Sequence, residues 1–183
     1  MDGLKRLMLL VSLIFLTVYI VGFAFPNEPD GFRGLKWGDA PTEDMKFLSE
    51  RNYSDDTACC YYIYDDKLSI GSANLRDIFY DFTIYSKQFF KVLASFVGEA
   101  NYNILKIIFE ERYGEPTYVS NDRNYNSLSW TGNIAKVHLY YNIKKGNSNE
   151  HHKGWFAIES LKIDMETPED NRKKEVKKAK ADF

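Results

Sequence analysis

The fold is decided by the stretch from Leu75 to Pro116, which reads LRDIFYDFTIYSKQFFKVLASFVGEANYNILKIIFEERYGEP. Apolar and polar residues alternate from Arg76 to Tyr85, and the alternation resumes from Phe89 to Val97. A period of two is typical of half-buried strands, so these runs are predicted to form a hairpin that turns at Ser86-Lys87-Gln88. The residues expected to share the buried face are Ile78, Tyr80, Phe82, Ile84, Phe90, Val92, Ala94 and Phe96. The residues expected on the other face include Asp77, Asp81 and Thr83.

A helix is predicted to follow the hairpin from Asn101 to Tyr113. Its apolar residues recur at helical spacing and are Ile104, Leu105, Ile108 and Phe109. Asn101 is expected to be the N-cap, because its side-chain oxygen can accept a hydrogen bond from a free backbone N–H. Gly114 and Pro116 are expected to end the helix.

The remaining patterns extend this picture to both sides. A first helix is expected near 41–49, capped by Asp39, and a polar loop is expected over Glu50–Asp56. Further strands are predicted near 58–64, 127–131, 135–142 and 154–163, with a polar loop at 121–126. The predicted fold class is α+β, an antiparallel β-sheet with two helices packed on one face. The order helix-strand-strand-strand occurs twice, which indicates either a tandem pseudo-repeat or a chance coincidence.

The composition favours a folded domain with a substantial core. The chain has 183 residues, of which 44% are hydrophobic and 16% aromatic. Its formal net charge is −2 and its pI is about 6.0, so it lacks the basic footprint of a nucleic-acid-binding protein. No nucleic-acid partner is expected.

The N-terminus is typical of an export signal. Lys5 and Arg6 precede an apolar run, Leu7–Phe25, which is 19 residues long. Small residues before the bond between Ala24 and Phe25 make that bond the candidate cleavage site. The run is also long enough to span a membrane, so an uncleaved anchor that contacts the membrane through residues 7–25 is the alternative. Both alternatives place the rest of the chain outside the cytoplasm, as a periplasmic or secreted protein.

The predicted domain organisation follows from these boundaries. Residues 1–24 form the signal peptide or anchor, 25–30 a polar linker, and 31–164 a single α+β domain. Residues 165–183 form a charged tail, which has too little apolar surface to pack and is expected to be a solvated helix or disordered.

The two cysteines, Cys59 and Cys60, are adjacent. Neighbours in a strand point to opposite faces, so they are not expected to bridge each other. We interpret one thiol as a small buried hydrophobe and the other as incidental. The alternatives are a redox-active pair, a disulfide between two chains, or a thiol–imidazole pair with His138.

The chain carries no motif that assigns a catalytic residue. Phosphate-binding, dinucleotide-binding and nucleophile-elbow patterns are absent from the sequence. His151 and His152 follow Glu150, but adjacent histidines do not converge on a metal, so they are interpreted as a surface loop. Asp65-Asp66 is interpreted as a turn. We therefore assign no catalytic, cofactor or metal residues, expect no cofactor, and do not expect an enzyme.

Aromatic residues on the predicted strands are the remaining candidates for binding. They could line a groove for a peptide or a sugar, since Tyr and Trp combine an apolar face with a polar group. The alternative is that they fill the core and cover a wet sheet face. The residues are Tyr61, Tyr62, Tyr64, Tyr80, Tyr85, Tyr140, Tyr141, Trp37, Trp130 and Trp155.

Several short motifs together resemble a group of uncharacterised exported bacterial envelope proteins. They are Phe32–Gly38, Met45 and Leu48, Asp66–Gly71, Tyr80-Asp81-Phe82, Leu105 with Tyr113-Gly114, Trp130-Thr131-Gly132 and the terminal Ala181-Asp182-Phe183. That group usually has Gly where Asp81 stands here, and Cys59-Cys60 is not part of its pattern. The resemblance implies export and fold class, and it implies no activity. The arrangement of a helix before three antiparallel strands is also similar to small lipoproteins of the barrel-assembly machinery and to secreted β-lactamase inhibitors.

Together these observations predict an exported, non-enzymatic cell-envelope protein that binds another protein or a surface component through its sheet. The first alternative is a protein that binds a small ligand or a carbohydrate through its strand aromatics. The second is an enzyme that depends on Cys59 or Cys60.

Overall fold

A computed structural model describes residues 25–53, 56–143 and 153–181. Its strands are β1 Gly31–Phe32, β2 Leu35–Lys36, β3 Met45–Tyr53, β4 Asp56–Ile63, β5 Ser69–Ile70, β6 Ala73–Asn74, β7 Asp77–Thr83, β8 Phe89–Val97, β9 Tyr118–Asn121, β10 Tyr125–Thr131, β11 Ala135–Asn142 and β12 Lys153–Ser160. Its helices are α1 Glu99–Tyr113 and α2 Pro168–Ala181. The chain is an α+β protein, as its sequence predicts.

Eight strands form one antiparallel sheet in the order β3-β4-β7-β8-β12-β11-β10-β9. Strands β3, β4, β7 and β8 form one meander, and strands β9 to β12 form another. Their last strands, β8 and β12, pair at the centre of the sheet, where Ala94 lies opposite Phe156. The chain therefore repeats a unit of four strands, with α1 between the two units. The alternative of a repeated unit of one helix and three strands is wrong.

Helix α1 packs on one face of the sheet, which we call the helix face. The helix buries Tyr102, Leu105, Phe109 and Tyr113. The ring of Phe109 lies 5.3 Å from that of Phe156 and 6.0 Å from that of Trp130. Helix α2 buries none of its described residues, so only one of the two helices covers the sheet. We call the opposite side of the sheet the open face.

The hairpin and α1 lie where the sequence predicts them, with two local corrections. A bulge in the pairing of β7 with β8 puts Phe89 opposite Phe82 and Lys91 opposite Asp81, so Phe90 leaves the face predicted for it. The helix begins at Glu99 after Gly98, and no side chain caps it. Asn101, the expected cap, instead accepts a hydrogen bond from the N–H of Asn74 and donates one to the carbonyl of Val97.

The helix expected at 41–49 and the loop expected over Glu50–Asp56 are wrong. Met45–Tyr53 is strand β3, which pairs with β4. Residues Lys46 to Glu50 are all exposed, because β3 lies at the edge of the sheet. An edge strand shows little alternation of apolar and polar residues. The backbone hydrogen bonds between β3 and β4 stabilise the strand more than the weak helical pattern of this segment stabilises a helix. The predicted loop at 121–126 likewise contains the end of strand β9.

The segment 25–30, expected to be a linker, is packed against the domain. Phe25 is buried, and its ring lies 5.4 Å from that of Tyr113. Glu28 accepts hydrogen bonds from the backbone of Asn133, Ile134 and Ala135. Ala24, the other half of the candidate cleavage site, lies outside the described residues. In the described ranges no helix is long and apolar enough to cross a membrane.

Candidate functional site

The alternative of a thiol–imidazole pair between Cys59 or Cys60 and His138 does not occur. Cys60 and His138 lie on β4 and β11, which are four strands apart in the sheet. At a strand spacing of about 4.8 Å, this is about 19 Å. Cys59 faces the helix side and is farther still from His138 on the open face. Both cysteines are buried and free, and burial makes a disulfide between two chains incompatible with this fold.

His138 is engaged by its neighbours on the open face. Its Nε2 lies 2.8 Å from the hydroxyl of Ser127, and its ring makes a T-shaped contact with Trp155. Burial lowers the pKa of His138, and Lys136 lowers it further. His151, His152 and Glu150 lie outside the described residues. Within the ranges that the structure covers, no group of three His, Cys, Asp or Glu side chains could hold a metal ion.

The strand aromatics, which could either line a groove or fill the core and cover a sheet face, are divided between the core and the surface. Tyr80, Tyr141 and Trp130 are buried in the core. Tyr140 and Trp155 lie on the open face, where their rings stack with centroids 5.5 Å apart. Tyr125 stacks on the other side of Tyr140 at the same distance. Because the faces of these rings contact one another, they are poorly placed to stack on a sugar.

The N-terminal half of the open face contains a buried ionic cluster. Asp81 is fully buried, and its Oδ2 accepts hydrogen bonds from Tyr53 and, at 3.2 Å, from Arg51. Its Oδ1 is buried and has no hydrogen-bond partner among the described residues. Burial raises the pKa of Cys60 to about 12, and the charge of Asp81 contributes to the shift. Cys60 is therefore held as a thiol, which is the unreactive form.

A cleft opens beside this cluster where β4 diverges from β7. The two strands pair only from Ala58 to Tyr61, although β4 continues to Ile63 and β7 begins at Asp77. The hairpin β5–β6 is inserted between them in sequence. The gap forms a cavity of about 380 Å³. Its lining is mostly apolar and aromatic, and comprises Leu48, Tyr62, Ile63, Tyr64, Asp66, Leu68, Arg76, Asp77, Ile78 and Phe79.

The rim of the cleft is fixed by Asp66. This carboxylate forms an ion pair with Arg33 and accepts a 2.7 Å hydrogen bond from the hydroxyl of Tyr80. Burial raises the pKa of Tyr80, and the hydrogen bond to Asp66 adds to the shift. The turn expected at Asp65-Asp66 is present at Tyr64-Asp65, and Asp66 has the further role of connecting this turn to the β1–β2 loop.

Strand β3 borders the cleft, and its outer edge is free. None of the described strands pairs with that edge. Phe47 and Leu48 on β3 are 55% and 50% exposed, and Tyr64 and Leu68 next to the cleft are 83% and 45% exposed. We call the free edge of β3 together with the cleft the β3 surface. The sequence does not predict this surface, because the pattern over β3 favours a helix and a loop, although Tyr62 and Tyr64 are among the candidate binding aromatics.

The β3 surface combines two features that complement each other. The edge offers backbone N–H and C=O groups in strand geometry, and the cleft offers an apolar space. The polar contacts near it join Arg51 to Asp81 and to Cys60, and Tyr80 to Asp66. Comparison with protein families, with curated proteins and with solved structures finds no match to this chain.

Proposed function

We propose that this chain is an exported, non-enzymatic interaction module that binds an extended segment of a partner polypeptide at the β3 surface. The observation that carries the proposal is the coincidence of a free nine-residue edge strand with an apolar cleft that Leu48 of the same strand lines. The bound segment adds a strand outside β3, and the part of the partner chain that continues past Leu48 places one large apolar side chain in the cleft.

The free edge of β3 specifies the kind of partner. An unpaired strand edge presents alternating donors and acceptors that only another extended backbone matches along its length. Several peptide-binding domains use this addition of a strand, in which backbone hydrogen bonds supply affinity and side-chain pockets supply specificity. The bulge at Leu48 and the charges of Lys46 and Glu50 restrict indiscriminate pairing of the edge.

The cleft specifies the side chain. Its volume of about 380 Å³ accommodates one aromatic or large aliphatic side chain with room for solvent. Its walls contain Tyr62, Tyr64 and Phe79, and Arg76 lies at its margin. Tyr, Phe and Arg are enriched at protein interfaces because they combine large contact area with directional polar groups.

The location outside the cytoplasm is part of the proposal and is supported by residues 1–24. Lys5, Arg6 and the apolar run that follows are the parts of an export signal. Mass spectrometry of the N-terminus of the protein purified from its native cells tests it. An N-terminus at Phe25, or an intact Met1 in a membrane fraction, supports export, and an intact Met1 in the cytosol contradicts it.

A small apolar ligand in the cleft is the second candidate, because the cavity volume lies within the range of ligand sites. Such a ligand would occupy the cleft without protecting the amides of β3. Hydrogen exchange separates the candidates, since only an added strand protects alternate amides along the edge.

A library of displayed linear peptides tests the function directly. We expect selected peptides to carry apolar residues at alternate positions and to protect β3 amides from exchange. Leu48→Lys should weaken their binding at least about tenfold, which corresponds to about 1.4 kcal/mol. Ile107→Lys is the matched control, since Ile107 on α1 is 54% exposed. Equal loss in both variants, or selected peptides that bind regardless of Leu48, would contradict the proposal.

A further inference from the structure

The side chain of Lys87 lies directly against the sulfur of Cys59. Lys87 is in the turn between β7 and β8, and its Nζ is 2.8 Å from Sγ of Cys59 and 2.7 Å from the carbonyl oxygen of Ile84. The contact between Arg51 and Cys60 is longer, at 3.3 Å. The amine and the sulfur are therefore close enough to form a covalent bond with little movement.

The turn is held in a conformation that brings Lys87 to this place. Lys87 has a φ of 53°, which lies in the left-handed region that non-glycine residues seldom occupy. The N–H of Gln88 donates a hydrogen bond to the hydroxyl of Thr83, and the N–H of Thr83 donates one to the carbonyl of Gln88, both at 3.0 Å. The carboxylate of Glu166 accepts hydrogen bonds from the backbone N–H groups of Tyr85 and Ser86. These bonds fix the turn and compensate for the strained residue.

We propose that Cys59 and Lys87 form a covalent cross-link in response to hydrogen peroxide. Sγ of Cys59 attacks one oxygen of the peroxide, the O–O bond breaks, and a sulfenic acid and water form. Lys87 gives its ammonium proton to water, and its neutral amine attacks the sulfur. The S–N bond forms as the S–O bond breaks, and the hydroxyl leaves as water with one amine proton. Relative to the thiol and the neutral amine, the protein loses two protons and two electrons, which reduce the peroxide to two molecules of water.

The neighbouring Cys60 has different partners from Cys59 and is not expected to form this cross-link. Cys60 faces the open side, where its polar neighbours are Arg51 and Asp81. Burial holds it as a thiol, and its cationic partner is a guanidinium, which remains protonated and does not condense with a sulfenic acid. The two adjacent sulfurs therefore have different chemistry because the strand directs them to opposite faces.

The cross-link would fix the β7–β8 turn to β4. It joins residues 59 and 87, which are 28 positions apart. A covalent link of this length restricts the unfolded chain and should raise the melting temperature. The same turn binds Glu166, so oxidation also stiffens the site where the segment before α2 is attached.

Treatment of the reduced full-length protein with peroxide, followed by proteolysis and mass spectrometry, tests the proposal. We expect peptides containing Cys59 and Lys87 to be joined, lighter by two hydrogens than their sum, and separable by a thiol reductant. The treated protein should melt at a higher temperature. Cys60→Ser should retain both effects.

Lys87→Arg is the decisive variant, because it keeps the charge and the donor to sulfur but removes the condensable amine. It should fold, and it should lose the joined peptide and the rise in melting temperature, as should Cys59→Ser. Sulfinic or sulfonic acid at Cys59 in the unsubstituted protein without a joined peptide would overturn the proposal. So would a peroxide-induced rise in melting temperature in Lys87→Arg equal to that of the unsubstituted protein.

Discussion

The carboxylate of Glu28 occupies the space that a side chain at Gly132 would need. A Cβ atom on Gly132 would lie 2.3 Å from the carboxyl carbon of Glu28. The carboxylate is held there by three backbone N–H groups of the β10–β11 turn, those of Asn133, Ile134 and Ala135, at 2.7 to 3.1 Å. The N-terminal segment is thereby attached to a turn more than a hundred residues away, and Gly132 leaves free the space that the carboxylate occupies.

Loss of the Glu28 carboxylate should destabilise the domain. We expect Glu28→Ala to lower the free energy of unfolding by about 2–3 kcal/mol, because hydrogen bonds to a charged group contribute more than neutral ones. Glu28→Gln should cost less, since its amide oxygen still accepts. Chemical denaturation monitored by Trp fluorescence measures both. A neutral effect of Glu28→Ala would show that this carboxylate does not hold the segment 25–30 on the domain.

Gly132→Ala tests the same contact from the other side. Its Cβ would displace the carboxylate, so we expect a loss comparable to that of Glu28→Ala. The two losses should not add in the double variant, because each removes the same interaction. Additive losses, measured in the same denaturation series, would mean that Gly132 is needed for another reason.

Acid should release the segment that precedes α2. Burial raises the pKa of Glu166, but its bonds to Lys174, Ser86 and Tyr85 outweigh this effect and bring the pKa to about 2. A group whose folded pKa is lowered stabilises the folded state above its unfolded pKa, and this contribution is lost as the pH falls toward the folded value. We therefore expect the contribution of Glu166 to fade between about pH 4.5 and pH 2.

Hydrogen exchange at the amides of Tyr85 and Ser86 reports this release. In the unsubstituted protein their protection should fall across that pH window. In Glu166→Ala it should already be low at neutral pH and should change little. Lys174→Met, which removes the 2.6 Å ion pair but leaves both amide bonds, should shift the loss to higher pH. Unchanged protection in Glu166→Ala would contradict the attachment.

A charge at Phe96 should prevent folding. Phe96 is 1% exposed on the helix face, and its ring stacks on Tyr141 and covers Gly154, where an added Cβ would lie 2.2 Å from the ring. Phe96→Asp buries an unpaired carboxylate among apolar groups, which is a severe penalty. Phe96→Leu, the control, should cost about 1–3 kcal/mol and remain cooperatively folded. A soluble, cooperatively folded Phe96→Asp protein, judged by circular dichroism, would contradict the position of β8.

The sequence predicted best the elements that bury one regular face. Helix α1 and strands β8 and β11 match their predicted ranges within two residues, since each has apolar residues at a constant period. The sequence does not predict strand β3, because an edge strand is exposed along most of its length and its residues show no alternation of buried and exposed positions. Helix α2 confirms the solvated-helix alternative for residues 168–181 of the tail.

The functional features depend on contacts that no local pattern encodes. The bulge near Phe82 puts Phe90 on the opposite face of the sheet from the one predicted. The alternation of apolar and polar residues along one strand does not reveal such an extra residue. The bond between Glu28 and the β10–β11 turn and the contact between Cys59 and Lys87 each join distant segments. The cleft exists because β4 and β7 stop pairing after Tyr61, which is a property of two strands and not of either sequence alone.

Separating Arg51 from Asp81 should lower the free energy of unfolding more than separating an exposed ion pair of this protein does. Asp81 is fully buried, and Arg51 is its only cationic partner with an ion-pair contact among the described residues. Breaking a buried pair by removing one partner leaves an uncompensated charge, so we expect Arg51→Met to lower the free energy of unfolding by about 3–5 kcal/mol. Arg76→Met removes the exposed pair with Asp77 and should cost less than about 1 kcal/mol.

The double variant decides whether the pair stabilises the fold or is merely tolerated. Replacing both partners, as in Arg51→Met with Asp81→Leu, removes the buried charge together with its unpartnered Oδ1 atom. A buried ion pair often contributes no more than apolar side chains of similar volume, so the double variant should recover most of the loss caused by Arg51→Met. Denaturation of all four proteins gives the coupling energy of the cycle. If the double variant is as unstable as Arg51→Met, the instability comes from the hydroxyl of Tyr53, which loses its bond to Asp81, or from lost packing of Arg51 on Phe79, whose ring centre lies 5.2 Å from the guanidinium.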